Sequence, residues 1–191
     1  MATKIRAKTE FDMEKFRLRR FVDKLIELGE VEVHDEPVPL TALGAAIEGT
    51  DKAVLFRKAG PEGLEVVAKT AGSRKRLAAA FDTTEDKLYD EYFKRLANPQ
   101  SYVEVPSDEA PVREIVLTGK DIDLTKLPFY PHHAYDGSAY LSSAIDYVVD
   151  PANGRRNVGC RRLSLRNRTE TGTNVTEIGR ASCRERVYGT V

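Results

Sequence analysis

Apolar positions recur along this chain with two different periods. Between Asp12 and Leu28, the residues Leu18, Phe21, Val22, Leu25 and Leu28 return at steps of three and four, and Gly29 follows them. This spacing predicts an amphipathic helix closed by a left-handed glycine. "EVEVHDEPVP" alternates Val31 and Val33 ahead of two prolines and predicts a short strand. A weaker helical pattern runs from Leu40 to Ile47. "AVLFRKAGPEGLEVVAKT" holds two apolar runs, Ala53 to Phe56 and Leu64 to Ala68, around a Gly-Pro-Glu-Gly turn, so adjacent strands or a hairpin are expected. Ser73 is placed to cap a helix in "SRKRLAAAF". Asp82, three residues before Glu85, has the spacing of a capping box for a further helix. That helix carries Leu88, Tyr92 and Leu96 on one stripe and stops at Pro99.

From Gln100 to Pro111 the composition turns to Ser, Pro and acidic residues, as in a linker or crossover. "VREIVL" then reads as a strand. "GKDIDLTKLPFYPHHAYDG" is too broken by proline for a long element and predicts an ordered loop with one helical turn. "AYLSSAIDYVV" and "RRNVGCRRLSLR" flank the turn "DPANG" and predict an antiparallel hairpin. The order of elements implies an α+β chain: a mixed α/β N-terminal domain over residues 1–111, then a crossover and the opening of a β-rich domain over 112–176. "EIGRASCRERV", from Glu177 to Val187, has neither period and matches the in-frame translation of a common sequencing adapter. Residues 177–191 are therefore expected to be a non-native tail.

Composition narrows the class. Hydrophobic residues make up 41% and charged residues 31%, which suits a soluble globular protein. No apolar run approaches membrane-spanning length, and the basic opening lacks an apolar segment behind it, so a cytoplasmic location is expected. Thirty basic and thirty acidic side chains leave no formal net charge, which argues against a general nucleic-acid or anionic-membrane binder. The two cysteines, Cys160 and Cys183, form neither a spaced metal motif nor a disulfide framework. Without a secretory signal, the glycosylation patterns at Asn167 and Asn174 carry little weight.

Basic character is instead local. "GRRNVGCRRLSLR" places five arginines in thirteen residues around Asn157 and Cys160. Arg155, Arg156, Arg161 and Arg162 present rigid donor forks that suit phosphate or carboxylate. Asn157 offers a neutral oxygen suited to a hard cation, and Gly159 permits a close approach or a bulge. A solvated basic face is the competing reading. Adjacent His132 and His133 on a proline-rich loop have no third ligand at metal spacing, and His34 reads as a capping or solvated residue. Asp121 and Asp123 read as caps of the "LTKL" turn. Tyr130, Tyr135 and Tyr140 are expected to pack the loop onto the β-rich part.

"LRRFVDKLIELGEVEVHDEPV" resembles the opening of the UbiD family of decarboxylases. "AVLFRKA", "GSRKRLA" and "DIDLTKLP" follow in the family's order, and "NGRRNVGCRR" resembles its Asn-x-Gly-x-x-Arg segment, so the likeness spans Phe16 to Arg168. The resemblance implies decarboxylation, or its reverse, of aromatic or α,β-unsaturated carboxylic acids with prenylated flavin mononucleotide (prenylated FMN), supplied by a flavin prenyltransferase. It also implies an N-terminal α/β domain, a split β-barrel that binds the flavin, and a C-terminal domain that makes the intact protein a homo-oligomer. The chain covers the first of these and the first hairpin of the second.

Position by position, Asn157 matches the family asparagine that ligates a divalent metal, commonly manganese, bridging to the flavin phosphate. Arg162 matches the arginine that contacts the flavin and orients the substrate carboxylate. Cys160 and Arg161 match positions whose backbone runs alongside the cofactor, although some members carry an aromatic where Arg161 stands. The family's metal-ligating histidine and glutamate and its proton-donating carboxylates lie downstream of Arg168, so the fragment is expected to be inactive. One geometric condition follows. Positions five apart on a regular strand face opposite sides, so a bulge at Gly159, or Asn157 lying ahead of the strand, is needed to turn both side chains to one cofactor. A non-catalytic phosphate or nucleotide module is the rival reading; a nucleic-acid fragment is disfavoured because aromatics do not interleave with the arginines.

Overall fold

Leu18–Glu27 forms helix α1 in the computed structural model, which describes residues 16–99, 105–149, 151, 153, 154 and 156–173, with Asp146 and Asn157 described through their backbone alone. Asp12 lies outside the described residues, but the helix expected from there begins only at Leu18, behind an extended Arg17. The helix ends as its sequence predicts. Gly29 takes φ 70°; its N–H reaches the Ile26 carbonyl and the Glu30 N–H reaches the Leu25 carbonyl, each at 2.9 Å, which is the Schellman pattern. Strand β1 (Val31–His34) follows. A short 3-10 turn at Leu40–Ala42 leads into α2 (Leu43–Glu48). Strands β2 (Ala53–Ala59) and β3 (Leu64–Ala68) flank the Gly-Pro-Glu-Gly turn, where Gly60 and Gly63 both take positive φ. Ser73 caps α3 (Arg74–Ala80) by accepting the Arg76 N–H at 3.1 Å. Helix α4 spans Leu88–Ala97 and ends before Pro99.

Beyond α4 come 3-10 turns at Pro111–Arg113, Gly119–Asp121 and Leu124–Lys126, then β4 (Tyr140–Val149), β5 (Arg156–Leu165) and β6 (Thr171–Thr173). The described strands form two three-stranded sheets, in the orders β1-β2-β3 and β4-β5-β6. The chain is α+β, and no closed barrel is present among the described residues.

Two compact units share the chain. The first takes Met1–Val33, Thr50–Leu55 and Val67–Gln100; the second takes His34–Gly49, Phe56–Val66 and Ser101–Val191. In the first, Val22, Leu25, Ala53, Val54, Leu55 and Ala78 are buried, and Lys24 ties α1 to the end of α3 by donating to the Ala79 carbonyl and to Asp82, each at 2.6 Å. In the second, Leu43, Phe56, Ala59 and Phe129 are buried. Gly44 of α2 lies so close to the loop ahead of β4 that a Cβ there would stand 2.9 Å from the His132 carbonyl oxygen.

Several sequence expectations are corrected. "VREIVL" is not a strand: Pro111 opens a 3-10 turn, and Glu114–Leu117 joins neither sheet. Its apolar side chains stay in solvent, with Val112 85% and Ile115 77% exposed. The capping box at Asp82 and Glu85 does not form. Asp82 takes φ 52° and pairs with Lys24, while α4 starts later, behind Lys87 and without a side-chain cap. Helix α4, which carries the Leu88, Tyr92, Leu96 stripe, has no buried residue. His34, expected as a capping or solvated residue, closes β1 half-buried, its ring 4.9 Å from that of Phe56. Tyr135 is fully exposed and packs nothing onto the sheet, whereas Tyr130 and Tyr140 pair through their backbones. Of the two loop aspartates, Asp123 does cap its turn by accepting the Thr125 N–H at 3.1 Å.

Candidate functional site

Alternating apolar and polar positions around a Gly-containing turn make β4 and β5 an antiparallel hairpin, and the register fixes what each face carries. Partners run regularly from Val149↔Arg156 to Ala144↔Arg161. The irregularity then falls between Leu141 and Ala144 of β4, while Leu141 meets Leu163 and Tyr140 meets Ser164. The bulge is therefore not at Gly159 but on the opposite strand, across from Arg162, where Ser143 takes φ 60°. Asn157 lies within β5, paired with Val148, and not ahead of the strand.

Because β5 carries no extra residue, its alternation is unbroken. Val158, Cys160, Arg162 and Ser164 share one face with Ile145, Tyr147 and Tyr140; positions 157 and 161 fall on the other. The structure thus brings Cys160 and Arg162 together and sets the Asn157 and Arg161 positions on the opposite side. Toward its turn end the shared face exposes Ile145, Tyr147, Val149 and Val158, with Arg156 opposite Val149. At its other end it opens into a cleft of about 580 Å³ lined by Tyr140, Arg162, Ser164, Arg166, Gly172 and Thr173. Gly172 matters there: a Cβ would stand 2.6 Å from Arg166 Nε, so the missing side chain is what lets that guanidinium lie over β6. Among the described residues β6 pairs with β5 at Leu163, Ser164 and Leu165.

Arg162 is held on two sides. Its Nη2 donates to Asp136 Oδ1 at 2.9 Å, and its Cζ lies 3.7 Å from the centroid of the Tyr140 ring. Partial burial opposes the guanidinium charge, but the hydrogen bonds to Asp136 and Tyr140 outweigh it and raise the arginine above its ordinary range. Burial also opposes the Asp136 carboxylate, yet the His133 N–H, the Arg162 guanidinium and the His132 N–H together lower its pKa. These N–H groups meet Asp136 Oδ2 at 2.8 Å from His132 and 3.0 Å from His133. The loop that carries Asp136 is closed at its base by reciprocal hydrogen bonds between Tyr130 and Tyr140, and is tied to β5 through Ser138 and Ser164, whose hydroxyls lie 3.1 Å apart.

Sequence reasoning missed Asp136. The available signal was the "HHAYD" spacing, which lets one carboxylate accept two successive backbone N–H groups; attention to the imidazoles as ligands passed it over. His132 itself stacks on Tyr130 at 4.5 Å, its Nε2 is buried without a hydrogen-bond partner, and burial together with the Arg162 charge lowers its pKa. Farther out, the Leu124 N–H donates to the Arg168 carbonyl at 2.8 Å and Asp123 pairs with Arg168, so the Asp-Leu-Thr-Lys turn is anchored beyond the end of β5. Asn167 accepts the Thr169 N–H at 2.9 Å, which is a turn-forming role. Arg155 and Asn174 lie outside the described residues.

An apolar strip between Arg156 at the turn end and the fixed Arg162 suits a planar ring system with an anionic neighbour. The same residues do not complete a metal centre. Among the described residues, no group of three or more His, Cys, Asp and Glu side chains could hold a metal ion.

Comparisons with known proteins identify the family. The description "3-octaprenyl-4-hydroxybenzoate carboxy-lyase N-terminal domain" matches residues 22–96, and the Rift-related domain of the same carboxy-lyase matches 103–187. The chain belongs to the UbiD family. An uncharacterised protein from the cooM 5′ region of Rhodospirillum rubrum is 32% identical over 157 residues, which is 78% of this chain and 33% of the relative. Anhydromevalonate phosphate decarboxylase of Methanosarcina mazei is 30% identical over 151 residues, 77% of this chain and 33% of that enzyme. The UbiD-class enzyme HmfF from Pelotomaculum thermopropionicum, in complex with prenylated FMN, superposes with a TM-score of 0.77 at 29% identity, covering 83% of this chain and 38% of HmfF. The chain thus spans about a third of the length of these curated relatives.

Proposed function

We propose that this chain is the N-terminal part of a non-oxidative carboxy-lyase that uses prenylated FMN to decarboxylate, or carboxylate, an aromatic or α,β-unsaturated acid. The observation that carries the reading is Arg162, fixed by Asp136 and Tyr140 at the cleft end of an exposed apolar sheet face. Relatives with decarboxylase names and a relative bound to prenylated FMN support it. When bound, the modified flavin supplies the electron sink for loss of carbon dioxide. The protein side of the chemistry is binding and orientation. The apolar strip takes a flat ring, and the Arg162 guanidinium grips the substrate carboxylate through charge-assisted hydrogen bonds that need no rearrangement during reaction.

Asn157 is one donor of the proposed metal set, a divalent ion such as manganese at the flavin phosphate; its remaining ligands come from beyond this chain. Positions 157 and 162 stand about 16 Å apart along an extended strand, on opposite faces. Neither condition for turning both side chains to one face is met, which counts against a site shared on one face of β5; Asn157 and Arg162 would hold the group from the two faces of the strand, with the backbone of Cys160 and Arg161 between them. We further take residues 1–111 as the N-terminal domain, 112–176 as the crossover and opening of the flavin-binding domain, 177–191 as non-native, and the intact protein as a cytoplasmic homo-oligomer served by a flavin prenyltransferase.

The test uses the intact parent chain, loaded with manganese and prenylated FMN. Asn157→Ala with Arg162→Ala is expected to lower flavin retention, read by absorbance of the purified protein, and to lower kcat/KM about a hundredfold or more. Wild-type retention and turnover in the double variant would overturn the proposal. The 191-residue chain alone is expected to release no carbon dioxide from any such acid, and measurable release would refute the division of the active site drawn here.

A further inference from the structure

A guanidinium that must present its donors to a carboxylate at a fixed angle gains from losing its own rotational freedom before the ligand arrives. We propose that Asp136 is the positioning residue for Arg162, a role that rests on the reading of Arg162 just given. Its two oxygens do different work. Oδ2 accepts the His132 and His133 N–H groups, so the carboxylate cannot swing away without exposing two backbone donors. Oδ1 is thereby aimed at Arg162 Nη2, 2.9 Å away. The Tyr140 ring lies against the guanidinium, 3.7 Å from Cζ, and Tyr140 is also the residue whose backbone closes the Asp136 loop through Tyr130. One short segment therefore supplies the counter-charge, the stacking surface and the hinge that holds both in place.

The loop is itself fixed from behind. Gly44 of α2 sits against the His132 carbonyl, and Ser138 donates to the Leu165 carbonyl at 3.2 Å. The side chain that Asp136 holds projects into the cleft beside Ser164 and Arg166. A guanidinium has several donors, and the Asp136 bond occupies one edge, which leaves others for an incoming carboxylate. Asp136 touches neither substrate nor cofactor in this arrangement and acts only through Arg162.

The intact holoenzyme tests the role. Asp136→Asn keeps an oxygen for the two loop N–H groups and removes the charge facing Arg162. It is expected to lower kcat/KM about tenfold and to weaken binding of an unreactive aromatic carboxylate to the FMN-loaded protein by a similar factor, read from the flavin absorbance. FMN affinity and Tm should stay at the wild-type values. Asp136→Glu should recover part of the loss, and Asp136→Asn combined with Arg162→Ala should be no worse than Arg162→Ala alone. Wild-type carboxylate binding by Asp136→Asn, where Arg162→Ala has lost it, overturns the positioning role and leaves the reading of Arg162 standing. If Arg162→Ala itself binds and turns over normally, that reading fails first. Should Asp136→Asn not fold, Asp136→Ser, with a short neutral acceptor for the loop, carries the same comparison; failure of both to fold assigns Asp136 to structure alone and also overturns the proposal.

Discussion

Arg76 is 2% exposed, and its neighbours show how a single charge is kept inside a small unit. Its Nη1 meets Glu30 Oε2 at 3.2 Å and its Nε donates to the Lys69 carbonyl at 3.1 Å. Glu30→Gln leaves that cation without a counter-charge and is expected to cost about 3 kcal/mol in denaturant unfolding. The same carboxyl also makes a pH prediction. A hydrogen bond from Lys75 lowers its pKa from the ordinary 4.5; burial opposes this, and the charges of Lys75 and Arg76 add to it. Its contribution is thus complete above the unfolded value and is lost as pH falls through the lower folded one. An acid titration of stability below about pH 4.5 should be shallower in Glu30→Gln than in the wild type. The sequence displays such residues unevenly. Arg162 and Asn157 stand out because arginine and asparagine are unusual in an otherwise strand-like run. Asp136 does not, because its partner lies 26 positions away and only loop closure brings them together.

The glycine stop of α1 was legible because every signal involved is local; its start was not, since Arg17, inside the periodic run, is extended and the helix opens only at Leu18. Where an end depends on a distant partner, the local pattern misleads. Asp82 has capping-box spacing but spends its carboxylate on Lys24, 58 positions earlier. "VREIVL" has strand composition, yet a strand also needs a partner, and among the described residues this segment pairs with neither sheet. Gly44 shows two local effects in opposition. Alanine would favour the helix by about 1 kcal/mol, but its Cβ would stand 2.9 Å from the His132 carbonyl oxygen, a backbone atom with little room to yield. Overpacking of that kind costs about 1–3 kcal/mol, so Gly44→Ala should be net destabilising in thermal unfolding, and it should loosen the loop that carries Asp136.

At the scale of the molecule, net charge pointed away from nucleic acid while the arginines of one hairpin pointed toward an anion, and the two readings coexist because the charge is local. Family membership was legible from the order of motifs. The division into units was not, since each unit is assembled from separated segments of chain. Apolar side chains remain in solvent on the β4–β5 face, on Val112–Leu117 and on α4. Large apolar side chains left in solvent within one element mark surfaces that meet other protein or ligand. The isolated chain is therefore expected to bind a hydrophobic dye more strongly than a chain of the relatives' length, read by dye fluorescence. Equal dye binding by both would count against cover by the remainder of the protein.

The bulge on β4 decides more than the curvature of one strand. Counting back from the turn, a hairpin with no irregular step would set Leu141 opposite Ser164 and move Tyr140 to the side away from Arg162; the added residue resets the phase, and Tyr140 returns beneath the guanidinium. Ser143 thus acts as a frame-setting spacer, useful for its place in the count and not for its hydroxyl. Swapping it for another residue tolerant of φ 60° should matter little, while inserting one residue beside it would send the aromatic platform to the wrong side of the sheet.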